Sequence, residues 1–486
     1  MGYTKTKFEK YLSETGEIGY VTETFDCLVY ANGLPSCFIN EVVVFESGDM
    51  GQIYAIEEDY IQIIVLSLTE IKVGERVVRS STGLEINMGI ELLGKAVNGL
   101  GEVRDGSQMS FKSTTKSLID HLPEGFSNRE VIIEPLNTGV AIVDLAIPLG
   151  KGQRELVIGD KKTGKTSFLL QCILNQAREG SFCVYASIGK KMRDVASVWN
   201  FLVTNKIEKQ CVVVSSYAYD APGVIYMTPY TAMTIAEFLR NRGANVLLIL
   251  DDLTTHAKFY RQISLMARRF PGRNSYPPDI FHVHSRLLER AGKFKKSSIS
   301  VLAVADTVLG DLSSYIQTNL MSITDGHLFF DINLFNAGRR PAINPYLSVT
   351  RVGEQAQTPL VRELSRKLTS FLVHIQRLNQ LSHFGAEFEQ KAQQDIATGE
   401  KIFSFFSQTK DRIYPLSLDI LIFAGIYSQT WINASLDEFN TDLDKLFKTY
   451  LTDQGYRASV DGLIKTKNSF AELISFFELD KRLFFK

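Results

Sequence analysis

A chain of 486 residues is too long for one hydrophobic core, so two to four domains are expected. Its 53 basic and 54 acidic residues leave a formal net charge of −1, which argues against a nucleic-acid platform. Five cysteines with no Cys-x-x-Cys pair argue against a disulfide framework and read as reduced thiols of a cytosolic protein.

Met1 to Lys7 carries basic residues with no apolar segment behind them, so no secretory signal is expected, and the absence of arginine gives no support to a transit peptide. No apolar run has the length of a bilayer span. After a short segment over 1–16, residues 17–90 carry brief apolar runs: Gly19-Tyr20-Val21, Cys27 to Tyr30, Glu41 to Phe45, Gln52 to Ile56 and Tyr60 to Leu66. Turn residues such as Asn32-Gly33, Ser47-Gly48-Asp49 and Glu57-Glu58-Asp59 separate them. Short strands so punctuated predict a small β-barrel.

From 91 to 356 strand and helix patterns alternate, which predicts a parallel sheet with helices on both faces. Phe182 to Ala186, Cys211 to Val214, Val246 to Leu250 and Ser300 to Val304 are its buried strands. Over 357–486 the pattern is helical, with Leu360, Leu364, Leu368, Leu372, Ile375 and Leu378 at spacings of three and four.

The most specific motif follows the apolar strand Glu155 to Ile158. Gly159-Asp160-Lys161-Lys162-Thr163-Gly164-Lys165-Thr166 fits the phosphate-binding pattern Gly-x-x-x-x-Gly-Lys-Thr and runs into a helical segment beginning at Ser167. Glycines let backbone N–H groups curl around a β-phosphate, and the helix N-terminus faces the anion. Lys165 reaches the β and γ oxygens, and the Thr166 hydroxyl is placed to hold Mg²⁺. The pattern predicts a bound nucleotide triphosphate.

A carboxylate at the end of a neighbouring buried strand completes such a metal site, and Asp251, with Asp252 beside it, closes the run Val246 to Leu250. Hydrolysis also needs a group to polarise water. RecA-like ring ATPases carry a carboxylate for this at the end of the strand after the P-loop helix. Here that place reads Ser187-Ile188-Gly189-Lys190-Lys191-Met192-Arg193, and a protonated lysine accepts no proton. Asp306 is a weaker alternative base. His282 and His284 alternate on a strand-like segment with His256 upstream, and structural roles suit them better than zinc binding.

These residues resemble the alpha subunits of F-type ATP synthases over most of the chain, most densely from 88 to 357. The resemblance lies in Gly150 to Thr166, in Asp251-Asp252-Leu253, and in a long match from Tyr260-Arg261-Gln262 through Pro271-Gly272-Arg273 to His284 to Arg290. It continues in Arg340-Pro341-Ala342-Ile343-Asn344 and Ser348-Val349-Thr350-Arg351-Val352-Gly353. It implies a β-barrel, a RecA-like nucleotide-binding domain and a C-terminal helical bundle. It also implies a place in a ring with catalytic beta subunits, around a central gamma-like stalk and with a peripheral stalk. Arg340 and Pro341 would lie by the adenine. Arg351 would be an arginine finger that completes the site of an adjacent beta subunit, while this chain holds Mg-ATP without turning it over. The complex would sit on the cytoplasmic face of the cell membrane, touching the membrane only through partner subunits.

The chain departs from the family pattern at Lys190, where glutamine is usual, and at Lys161-Lys162, where Arg-Gln is usual. Thr350 replaces serine, the Gln-rich loop near Gln408 to Pro415 is not evident, and the N-terminal helix shortens to a few turns around Lys7 to Leu12. Two alternatives stay open: an alpha-like subunit of a paralogous ion-pumping or mechanical machine, and an autonomous RecA-like hexameric ATPase. An RNA translocase would need a basic, aromatic barrel, but residues 17–90 hold more acidic than basic side chains.

Overall fold

The computed structural model describes residues 6–106, 109–111, 115–383, 390–409, 412–428, 430–479 and 482–484. The chain forms two compact units: Met1–Arg129 with Gly180–Asp306 and Leu312–Ile323, and Glu130–Glu179 with Thr307–Asp311 and Thr324–Lys486.

The first unit begins with a helix over Lys7–Thr15, closed at its N-terminus by a reciprocal capping box between Thr6 and Glu9. Six strands follow: β1 (Gly19–Phe25), β2 (Leu28–Asn32), β3 (Glu41–Phe45), β4 (Met50–Ile56), β5 (Ile61–Val65) and β6 (Arg76–Gly83). They close into a barrel in the order β1-β2-β5-β4-β3-β6, which leaves no open edge. Val29, Val43, Phe45, Ile53, Ile63 and Val77 fill its interior. β2, β3 and β5 lack the hydrophobic–polar alternation of a one-sided strand because their outer residues are covered too. Leu28 and Ile64 meet Ile263 and Ala267, while Val44 and Val78 pack against Phe8 of the first helix.

The same unit holds parallel strands in the order Ser298–Thr307, Asn245–Asp251, Phe182–Lys190, Cys211–Tyr217 and Lys95–Val97. Helices Met192–Thr204, Pro222–Asn241 and Leu253–Met266 connect and cover them. One expectation is corrected here: His282 and His284 lie on a helix, Ile280–Leu288. Ile280, His284, Leu287 and Leu288 are its buried residues, a spacing of four and three, so the two-residue histidine interval is not strand alternation.

In the second unit Arg154–Asp160 runs parallel to Gly326–Phe330, which pairs antiparallel with Val349–Thr350. The P-loop helix spans Lys165–Arg178. Among the described residues six further helices follow, from Pro359–His383 to Phe470–Leu479. Leu360, Leu364, Leu368, Leu372 and Ile375 are buried, as their spacing predicts. The helix Leu416–Tyr427 is apolar nearly all round and buried accordingly, in a setting rich in aromatic rings such as Phe405, Tyr414, Phe423 and Phe470. Barrel, parallel α/β part and helical C-terminal part are thus all present in the predicted order. Among the described residues no helix is long and apolar enough to cross a membrane.

Candidate nucleotide site

In the second unit the strand Arg154–Asp160 delivers the chain into the P-loop. Gly159 passes so close to the next strand that a Cβ there would fall 2.3 Å from the Phe330 carbonyl oxygen, which only glycine tolerates. Gly164 takes φ 96° as the N-cap of the helix Lys165–Arg178. Lys165 is buried, and its Nζ donates to the carbonyls of Gly159 at 2.6 Å and Asp160 at 2.7 Å. Thr163 Oγ1 donates to the Asp160 carbonyl at 2.7 Å, and Asp160 Oδ1 accepts from Thr307 Oγ1 and the Gly310 N–H. The loop is therefore shaped by its own hydrogen bonds. Lys161, Lys162 and Thr166 remain exposed, so a positive helix N-terminus, two lysines and a hydroxyl face solvent.

Arg340 lies in the same unit with its guanidinium 3.5 Å from the centre of the Phe335 ring and Nη1 donating to the Phe335 and Arg339 carbonyls. Pro341 follows it half-buried. Gln408 is the residue that sequence reasoning missed. It donates its N–H to the Arg340 carbonyl, and its side chain accepts from Ala141 N at 2.7 Å and donates to the Gly139 carbonyl at 3.1 Å. A sequence separation of 267 residues from Ala141 left no local signal for it. Residues 410 and 411 of the segment Gln408 to Pro415 lie outside the described residues.

Arg351 is exposed on a backbone that is tightly held. Its N–H donates to the Asp325 carbonyl at 3.0 Å, and the Asp325 carboxylate is clamped by Arg154, with Nη2 to Oδ1 at 2.9 Å. Thr350 Oγ1 donates to the Pro148 carbonyl at 2.9 Å and accepts from Gly353 N and Gln153 Nε2. A Cβ on Gly353 would fall 1.7 Å from the Pro148 oxygen, so this turn too requires glycine. Burial pushes the Glu155 carboxyl well above the usual range, against a hydrogen bond from Gln153 and the nearby charge of Arg351.

In the first unit Lys190, Asp251 and Asp252 form a closed cluster. Lys190 Nζ lies 2.9 Å from Asp251 Oδ1 and 2.7 Å from Asp252 Oδ2. Tyr185 donates its hydroxyl to Asp251 Oδ2 at 2.6 Å. Asp252 caps the helix Leu253–Met266, accepting from Thr255 N at 2.6 Å. Burial opposes the lysine's charge, but the two carboxylates outweigh it and raise its pKa. Burial raises Asp251, whereas for Asp252 the lysine and the Thr255 hydrogen bonds overcome burial and lower it. Lys190 is thus fixed in its ammonium form.

Asp306 is held by its backbone: its N–H donates to Thr254 Oγ1 and its carbonyl accepts from Gln317. His256 sits between the Tyr226 carbonyl at 3.1 Å and His284 Nε2 at 3.2 Å, and burial lowers its pKa to about 4. The carboxylate oxygens of Asp251 and Asp252 are of the kind that a hard divalent cation takes.

Residues 139–350 match the nucleotide-binding domain model of the ATP synthase alpha/beta family. The ATP synthase subunit alpha of Neorickettsia sennetsu is 38% identical over 84% of this chain and 82% of its own length. The chain belongs to the ATP synthase subunit alpha family. Its relatives include the ATP synthase subunit alpha of Mycoplasma genitalium, 36% identical over 84% of this chain and 80% of that protein. That of Carsonella ruddii is 35% identical over 94% and 98%, so the likeness to the family extends into the helical C-terminal part.

Proposed function

We propose that this chain is a non-catalytic, nucleotide-holding subunit of an F-type ATP synthase or ATPase, and that it lends Arg351 to the catalytic site of an adjacent beta subunit. One observation carries the reading. Where a hydrolase of this fold places a water-polarising carboxylate, this chain places an ammonium fixed by Asp251 and Asp252.

In this reading Gly159 to Thr166 wrap the phosphates and Lys165 leaves its two loop carbonyls for the β and γ oxygens. Arg340 and Pro341 face the adenine, and Thr166 with Asp251 are assigned to the magnesium side. Magnesium bound with the nucleotide would neutralise phosphate charge. Arg351 projects from its clamped backbone toward a neighbour's γ-phosphate, where a guanidinium stabilises the charge of the transition state. The proposed partners are beta subunits alternating with this chain, a gamma-like central stalk and a peripheral stalk, with membrane contact only through partner subunits at the cytoplasmic face.

The test is twofold. The isolated chain should bind ATP and release no phosphate above background; brisk hydrolysis by the pure protein would reject the reading. A hexamer reconstituted with Arg351→Ala should lose multi-site turnover while its alpha-type sites still retain nucleotide.

A further inference from the structure

We infer that Glu155 is a positioning residue for Arg351: its buried carboxyl fixes the Gln153 amide, which in turn holds the Thr350 turn from which the guanidinium projects. This rests on the finger function proposed above for Arg351 and names what aims the finger. All the residues concerned lie in the second unit.

Three neighbouring strands bring the parts together. Glu155 pairs with Gly326, and Gly326 pairs with Thr350, so the three residues stand in one row across the sheet. A Cβ on Gly326 would fall 2.6 and 3.0 Å from the two Glu155 carboxyl oxygens, so the carboxyl occupies the space that a side chain at 326 would take. There Oε2 accepts from Gln153 Nε2 at 2.8 Å. The same nitrogen donates to Thr350 Oγ1 at 3.2 Å, and Gln153 Oε1 accepts from the Gly150 N–H at 2.9 Å. Both ends of the amide are thus engaged, and its plane is fixed. Thr350 Oγ1 in turn donates to the Pro148 carbonyl and accepts from Gly353 N, which closes the turn around Arg351.

Glu155 is an unusual residue to bury here. It is 1% exposed, and its Oε1 has no hydrogen-bond partner among the described residues. An apolar side chain would fill the same place without an orphaned oxygen. What the acid adds is the acceptor that orients Gln153. Burial favours the neutral carboxyl, whose shape and acceptor a glutamine reproduces. Without that acceptor the Gln153 amide is free to turn, Thr350 loses a donor, and the direction of the guanidinium spreads. A displacement of about 1 Å at a group that meets the transition state costs about 10²-fold in rate.

The experiment measures steady-state ATP hydrolysis by the hexamer reconstituted with beta subunits, using Glu155→Leu, Glu155→Gln, Arg351→Ala and the double variant Glu155→Leu with Arg351→Ala. Glu155→Leu should lower kcat about tenfold or more with KM within about twofold of wild type, and Glu155→Gln should recover kcat to within about threefold. In the Arg351→Ala background Glu155→Leu should add no more than about a twofold loss, because a residue acting through Arg351 has nothing left to aim. A further tenfold loss in that background, or a Glu155→Gln as impaired as Glu155→Leu, overturns the proposal. So does wild-type turnover by Glu155→Leu when Arg351→Ala is inactive, an outcome that leaves the finger function intact. Wild-type turnover by Arg351→Ala removes both together. Should Glu155→Leu fail to assemble, Gln153→Leu breaks the same relay at its middle and is put through the same cycle with Arg351→Ala.

Discussion

The P-loop segment and the Lys190 cluster use the same kinds of side chain to opposite ends. Around 159–166 Lys161, Lys162 and Thr166 are exposed, Lys165 is buried on two loop carbonyls, and the groups that shape the loop are backbone carbonyls and Asp160. Around Lys190 every charge has a counter-charge within the protein: an ammonium, two carboxylates, a tyrosine hydroxyl and a helix N-terminus. The first arrangement keeps its electrostatic capacity for a ligand. The second spends it on itself, which suits holding a nucleotide and does not suit activating water. Arg351 sits nearer the first kind, because its backbone is fixed and the residue is exposed, with one hydrogen bond of 3.4 Å from Nη1 to the Thr324 carbonyl.

The sharpest way to break this contrast is Arg351→Ala. On the role proposed for Arg351, its removal should cost the reconstituted ring about 10³-fold in steady-state turnover or more, with the melting temperature of the isolated chain almost unchanged. A large loss of stability with little loss of turnover would place Arg351 among the self-satisfied charges instead.

Acid should act on the closed side. Burial holds His256 neutral, with a folded pKa of about 4 against 6.5 unfolded. The unfolded chain therefore binds more protons in that window, and stability contributed by the neutral histidine is lost as pH falls from 6.5 toward about 4. The full shift corresponds to about 3 kcal/mol, read as a falling urea midpoint across the window. A flat midpoint would mean that the histidine does not stay neutral.

Lys190→Ala leaves two adjacent buried carboxylates without their counter-ion and should destabilise the chain by about 2–3 kcal/mol, measured by urea unfolding at neutral pH. The value sits below that for a fully buried pair because 25% of the lysine side chain is exposed to screening solvent. Stability equal to wild type would show the pair to be a surface contact. The finest test lies at Thr350, whose hydroxyl ties the Arg351 turn to Pro148, Gly353 and Gln153. Thr350→Ala should cost about 1–2 kcal/mol, whereas Thr350→Ser, which keeps the hydroxyl, should stay within about 0.5 kcal/mol by the same unfolding measurement.

The P-loop was legible because its chemistry is contiguous: eight residues encode the turn, the anion-facing N–H groups and the lysine. Five barrel runs, the buried parallel strands and the Leu360 to Leu378 stripe were legible because burial leaves a periodic trace in the chain. β6 (Arg76–Gly83) was harder to see, since Arg79 and Ser80 interrupt the apolar run. In the fold Arg79 pairs with Glu41 at 3.0 Å, so a charge inside the barrel domain is satisfied across strands. The helix holding His282 and His284 was misread because two residues at an interval of two fit a strand unless the buried positions are known.

Sequence by itself determined the local devices: the phosphate loop, the lysine in place of an acid at 190, and the order of barrel, α/β and helical parts. Tertiary structure alone decided where the charges are spent. Lys190 meets Asp252 across 62 residues and Gln408 meets Ala141 across 267, and no local pattern encodes such a meeting. Whether an ionisable side chain stays available to a ligand depends on which distant group it is packed against, because burial makes an unpaired charge costly and a paired one stable.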